Sequence, residues 1–212
     1  MSPEPDGSPR ERYRAQVRAE IKQHAWAQIA EAGASALSLN AIAKQVGMSG
    51  PALYRYFASR DELITALIRD AYRSLADTVR AAFESGTDLI GLGHVIRDWA
   101  HGDPHRYFLI FGTPVPGYHA PPDTTAISQE VMAVLLDAAG AAPASEPSTP
   151  FDAHLQSHRD WAANQPATTL HRALALWTRL HGVLSLELAG HFTGMKFDPD
   201  LLLDDELNAL PT

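Results

Sequence analysis

Residues 38–63, SLNAIAKQVGMSGPALYRYFASRDEL, constrain the fold more than any other stretch of the chain. Leu39, Ile42, Val46, Met48, Leu53, Tyr56 and Phe57 can be buried together only if the chain reverses near Gly47. A residue without Cβ can enter the left-handed conformation there and end a helix. Ala43 is small where the two flanking helices must approach most closely. Ser49 is placed to cap the second of them, and Pro51 in its first turn costs little, because the N–H it lacks would have had no intrahelical partner. Ser59-Arg60-Asp61-Glu62 reads as a capping box that opens a third helix, with Arg60 beside its positive end. Two short helices, a tight turn and a freshly capped third helix make a helix-turn-helix.

The exposed positions of the second helix indicate what such a unit would touch. Ser49, Gly50 and Ala52 are small enough for the backbone to approach base edges, and Tyr54, Arg55 and Tyr56 add hydroxyl and guanidinium donors one turn on. Lys44, on the preceding helix, joins these candidates. The run of a small residue, LYRYF, two residues, Arg, two acidic residues and Leu resembles the DNA-binding domain of the tetracycline-repressor (TetR) family of bacterial transcription regulators, over roughly residues 10–63. The resemblance implies that Ser49, Gly50, Pro51 and Ala52 sit at or near bases and that Tyr54, Tyr56 and Arg60 sit on phosphates. Arg60 stands where the family usually has Lys, which keeps the charge but changes the donor geometry.

Upstream, Ser8-Pro9-Arg10-Glu11 is a second capping box. Val17, Ile21, Ala25, Ile29 and Ala32 then form a helical stripe that stops at Gly33. Arg10, Arg12 and Arg14 at its start are either a solvated face or contacts to phosphate or the minor groove. Residues 1–60 hold eight Lys or Arg and five Asp or Glu, a net of +3, so the total of −8 leaves −11 for the remainder. A basic reader on an acidic body points to a defined operator rather than to indiscriminate coating of nucleic acid.

The absence of Cys excludes disulfides and thiolate chemistry. No glycine-rich phosphate loop, G-x-S-x-G elbow or nucleophile with an assigned base is present, so no enzyme is expected. Without an apolar run of membrane-spanning length or a signal region, the expectation is a cytoplasmic chain with no membrane partner. We divide it into a flexible arm (1–9), a helix-turn-helix domain (10–58) and an effector-binding and dimerisation domain (59–212). GAAPASEPSTP at 140–150 reads as a mobile connection.

The body reads as helices throughout, giving an all-α fold: a three-helix DNA-binding domain followed by a helical bundle. Leu63, Leu67, Ala71 and Leu75 form a stripe, and helices are expected at 88–100, 104–111, 122–139, 151–163, 168–192 and 199–210. On the long helix at 168–192, Leu170, Leu174, Trp177, His181, Leu184 and Leu188 form a large stripe suited to the core. His171, Ala175, Thr178, Gly182, Ser185 and Ala189 form a small stripe suited to close approach by a second copy, and only Arg172 and Arg179 mark a polar edge. The alternative is burial of both stripes within one chain. Trp177-xxx-His181-Gly182 resembles the Trp-His-Gly subset of the family, whose members dimerise through their last long helices and enclose a small effector that changes the spacing of two heads on a palindromic site. The candidate pocket residues are Trp99, His101, His105, Tyr107, Phe108, Phe111, Tyr118, Trp161, Trp177 and His181, suited to an aromatic or apolar effector. Glu187 needs a partner, expected as an arginine or histidine across the dimer. His101-x-Asp103-x-His105 and His154-xxx-His158 lack further ligands nearby, so neither a metal nor a cofactor is expected. The competing functional reading is a helical homodimerisation module whose DNA head is degenerate.

Overall fold

The computed structural model describes residues 8–119, 121–143, 146–147, 149–162 and 164–211. Most of the expected N-terminal arm, residues 1–7, lies outside the described residues, as do residues 144, 145 and 148 of the Pro/Ala/Ser-rich connection. Among the described residues ten α-helices follow one another: α1 (Pro9–Ala32), α2 (Leu39–Gln45), α3 (Gly50–Leu53), α4 (Arg60–Glu84), α5 (Leu89–Gly102), α6 (Pro104–Phe111), α7 (Pro122–Gly140), α8 (Pro150–Gln156), α9 (Ala167–Leu188) and α10 (Pro199–Asn208). Among the described residues there is no strand, so the all-α expectation holds.

Local chemistry sets the helix ends in the head. The Ser8 box forms as expected, with the Ser8 hydroxyl accepting from Glu11 N and the Glu11 carboxylate accepting from Ser8 N. α1 stops at Gly33, where φ is +77°. Gly47, with φ +72°, ends α2: its N–H donates to Lys44 O and Met48 N donates to Ala43 O, the paired bonds of a Schellman stop. Ser49 occupies the N-cap of α3, but its hydroxyl makes no capping bond. The donors such a hydroxyl normally meets are those of the second and third helical residues. Here the second is Pro51, which has no N–H, and the third, Ala52, donates to Ser49 O instead. At α4 the Ser59 hydroxyl accepts from Glu62 N, while Glu62 Oε2 accepts from Ala58 N, one residue earlier than the expected box.

Two apolar cores share one helix. Val17, Ile21, Ala25, Ile29, Leu39, Ile42, Leu53 and Phe57 pack with Leu63, Ile64 and Leu67 from the first half of α4. Leu75 and Val79, further along α4, belong instead to the core formed with Leu92, Ile96, Tyr107, Leu135, Leu176, Leu180 and Leu203. Full burial of each such aliphatic side chain contributes about 1.5–3 kcal/mol, so α4 is fixed at both ends. Its outer face is tied to α7 by Arg69–Asp123 and by Arg73 and Arg80 on Glu130.

α9 departs from the sequence reading in three ways. It ends at Leu188 rather than Phe192, because Gly190, with φ +77°, donates to Glu187 O while His191 N donates to Leu186 O. Its buried face runs through Ala173, Leu176, Leu180 and Val183. That line lies about 100° round the axis from the centre of the large stripe, of which Leu170 and Leu184 are fully buried, and further still from the small one. Leu174, Trp177, His181 and Leu188 are therefore only half-buried. Arg172, expected at a polar edge, is buried, and its Nε and Nη1 donate to Pro211 O and Ala139 O. One of these carbonyls is in the last turn of α7 and the other lies just past the end of α10, and both are neutral acceptors. Arg179 stays half-buried on Glu206.

The partner of Glu187 lies in the same chain and not across a dimer. Arg97 donates to both its oxygens, at 2.7 and 3.2 Å, and His101 Nε2 stands 3.2 Å from Oε1. α8 is shorter than expected, turning at Ser157 ahead of a short 3-10 turn at Asp160–Ala162.

Candidate nucleic-acid interface and body cavity

The front of the head is a surface of small and polar groups. Lys44, Ser49, Pro51, Tyr54 and Arg55 are exposed, and Gly50, Ala52 and Tyr56 are half-buried. A Cβ built on Gly50 would meet nothing nearer than Asn40 Oδ1 at 3.5 Å, an ordinary contact, so packing inside the head does not demand a glycine there.

Behind this surface, arginines of α1 hold the chain that follows α3. Arg14 Nη2 donates to Arg55 O at 3.2 Å. Arg18 donates to Tyr56 O, and its guanidinium lies 4.1 Å from the centre of the Phe57 ring. Arg14 thus faces the reading segment of its own chain, while Arg10 and Arg12 lie exposed at the start of α1. Arg18 was not among the expected contact residues. Its partner is 38 positions away, and no local pattern signals that bond.

Arg60, which the resemblance placed on a phosphate, turns toward the protein. Its Nε donates to Leu37 O at 3.2 Å, and its Nη2 donates to Ala34 O at 2.8 Å and Ser35 O at 3.1 Å. In the 3-10 turn between α1 and α2, Ala34 O already accepts from Leu37 N, and the planar fork of Arg60 adds donors to it and to the Ser35 and Leu37 carbonyls at once.

In the body, a cavity of about 290 Å³ lies between α4, α6 and α7, against Ile68, Tyr72, Leu109, Tyr118, Thr124 and Ser128. A neighbouring one of about 240 Å³ is lined by Tyr72, Phe111, Ser128, Gln129, Met132 and Trp177. Tyr72 and Ser128 border both, and neither has a charged side chain among its described walls. Of the expected pocket residues, Tyr107, Phe108, Phe111, Trp177 and His181 come together: His181 packs against Trp177 at 4.2 Å and Phe111 at 4.4 Å, and Tyr107 contacts Phe108, Phe111 and His181. Tyr118 lines the first cavity, with its hydroxyl 3.0 Å from Thr65 Oγ1.

The remaining expected residues do not join that group. His105 borders a separate recess near Ile29 and Ser35. Trp99 donates to Ser74 Oγ, His101 stands on Glu187, and Trp161 lies exposed beside a cleft with Met132 and Leu136. Tyr72, Ser128, Gln129 and Met132 were missed. Tyr72 was detectable as the residue four beyond Ile68 on a half-buried face of α4.

Burial holds the Tyr107 hydroxyl up to about 12 and His181 down to about 4, so both are neutral near pH 7. Tyr107 Oη and His181 Nδ1 are 3.0 Å apart, and His181 Nε2 is buried with no hydrogen-bond partner. His158 Nδ1 is spent on His154 O, and among the described residues no three His, Cys, Asp or Glu converge on a metal position.

The small stripe on α9 is only partly covered in the single chain. Thr178, Gly182 and Ala189 are exposed, while His171, Ala175 and Ser185 are half-buried, with His171 Nδ1 on Asp152 at 2.7 Å. Among the described residues, no helix is long and apolar enough to cross a membrane.

Comparison with known proteins agrees with these two regions. Residues 21–67 match the model of the bacterial regulatory proteins of the tetR family, and residues 89–210 match a tetracyclin repressor-like C-terminal domain. The chain is 35% identical over 216 aligned residues to the HTH-type transcriptional regulator Rv1816 of Mycobacterium tuberculosis, covering 93% of this chain and 92% of that one. The crystal structure of the regulatory protein SCO4313 is similar to it at a TM-score of 0.89 and 68% identity, over 95% of this chain and 98% of that one. A transcription regulator from Marinobacter aquaeolei shares the fold at a TM-score of 0.62 and 18% identity, over 95% and 98% of the two chains.

Proposed function

The chain belongs to the TetR family of bacterial transcription regulators, and from that premise we propose that it is a ligand-responsive repressor that binds a palindromic operator as a homodimer. The observation that carries the reading is α4 itself. Its first half is built into the head core, its second half into the body core, and the uncharged cavity lies against Ile68 and Tyr72 where the two halves meet. An aromatic or apolar effector filling that space presses on the helix whose buried residues enter both cores. It thereby changes the separation of paired heads from the roughly 34–36 Å that successive major grooves require.

On the operator, Ser49, Gly50, Pro51 and Ala52 approach base edges, and Tyr54, Arg55, Tyr56 and Lys44 contact backbone phosphates, with Arg10 and Arg12 reaching past them. Arg14 and Arg60 support this surface from behind. The exposed small residues of α9 favour a two-fold contact between copies, which sets the two heads on one duplex. The domain division falls within α4 rather than before it, as the two cores suggest.

The test is binding of the full chain to the intergenic DNA upstream of its own gene across a salt series, beside Tyr54→Phe. Tight, salt-steep binding that the variant weakens is expected. A preference no greater than for random DNA at every salt concentration would overturn the operator reading.

A further inference from the structure

Beyond the far end of α4, the start of α5, the C-terminal ends of α7 and α10 and one side chain of α9 enclose a groove of about 700 Å³. Its walls are apolar, with Leu89, Ile90, Ala138, Leu207 and Leu210 among them, and the α9 side chain is Arg172. Arg172 is only 9% exposed. Arg69, Arg73, Arg97, Arg106 and Arg179 each stand beside a carboxylate, but Arg172 meets only the carbonyls of Ala139 and Pro211, each at 2.9 Å. Those carbonyls hold the guanidinium in place and offset its charge only in part, since a helix C-terminus supplies about half an elementary charge. Asp88, also on the wall, spends Oδ1 on Gly91 N at the start of α5. A buried cation with no acidic side chain paired to it among the described residues, set in an apolar groove, calls for an anion attached to an apolar body.

We propose that this groove is a second ligand site, separate from the α4–α7 cavity, that takes amphipathic monocarboxylates. The apolar chain or ring lies along Leu89 and Leu207, and the carboxylate pairs with Arg172, whose planar fork matches it. The cavity between α4 and α7 cannot serve such a ligand equally well, because no cation lines it. An occupant here bridges α5, α7 and α10 and fastens the C-terminal helix to the body.

Calorimetric titration of the full chain with octanoate and with octanol, which share a chain length and differ in charge, tests the assignment without reference to DNA. Saturable binding of one octanoate per chain is expected, about tenfold or more tighter than octanol, the increment typical of a charge-assisted hydrogen bond. Arg172→Gln should abolish that difference. Ala142→Trp, which fills the groove from its exposed wall and leaves the buried arginine untouched, should weaken both ligands and decides the matter if Arg172→Gln does not fold. Octanol binding as tightly as octanoate, or octanoate binding unchanged by Ala142→Trp, would overturn the proposal.

Discussion

Arg18 of α1 donates to the backbone carbonyl of Tyr56 and lies over the ring of Phe57, so a residue outside the helix-turn-helix sets the exit of the reading segment. The bond comes from a half-buried cation to a chain end that has left helical geometry, where a carbonyl has no helical donor to meet. Arg18→Met keeps much of the packing on Phe57 and removes the donor. It should lower head stability by about 1 kcal/mol and weaken operator binding without reducing the salt slope, because no phosphate contact is lost. An unchanged Kd in a fluorescence-anisotropy titration would contradict this.

Gly50 separates packing from recognition. A methyl group there fits within the head, so Gly50→Ala should leave the thermal midpoint within a degree or two of wild type while weakening the operator complex by about tenfold through steric contact with the duplex. Calorimetry and DNA titration on the same preparation check both halves of the statement.

Arg60 is the counter-case. Arg60→Ala strips donors from Ala34, Ser35 and Leu37 and should destabilise the head by about 1–2 kcal/mol. Arg60→Lys should recover only part of that loss, since an ammonium cannot reproduce the planar fork. Chemical denaturation of the three proteins distinguishes this bracing role from a phosphate contact, which would leave stability unchanged.

His181 makes stability depend on acidity. Burial depresses its folded value to about 4, below the ordinary 6.5, so the unfolded chain binds the extra proton first. The stability held above about pH 6.5 is lost progressively as the pH falls toward 4, by up to roughly 3 kcal/mol from this group. His181→Gln should flatten that part of the pH profile of the thermal midpoint, relative to wild type.

Gly182 lies on the open face of α9, where a new side chain meets nothing within 4 Å in its own chain. Gly182→Arg should therefore leave the folded subunit intact and split the proposed homodimer. Sedimentation would show subunit mass, with far-ultraviolet dichroism unchanged.

How much of this was legible beforehand follows from the range of each interaction. Gly47, Gly33, Pro51 and the Ser8 box act within a turn or two of themselves, so their sequence neighbours suffice to place α1, α2 and the reversal before α3. The aromatic group around His181 was recoverable because Tyr107, Phe108 and Phe111 share one short helix and Trp177 and His181 are one turn apart on another. Arg172 was misplaced, and the bonds of Arg18 and Arg60 were not foreseen, for a common reason. Each is an arginine that donates to a distant backbone carbonyl, and no local pattern in the sequence signals such a bond. Glu187 was recognised as needing a counter-charge, but Arg97 lies 90 positions away, and only the packing of α5 on α9 reveals it. Gly190 was overlooked as a stop because the apolar run continues past it to Phe192.

The continuity of α4 has a mechanical consequence. From Leu75, held in the body, to Arg60 at the head, the rod is about 22 Å long at 1.5 Å per residue. A tilt of about 5° pivoting on Leu75 sweeps its tip through roughly 2 Å, and two such rods related by a two-fold axis double the change in span. In the proposed mechanism a ligand therefore need not remodel the bundle to unseat the heads; a displacement near the pivot smaller than a bond length is geared up, over the length of one helix, into a misfit with the pitch of the duplex.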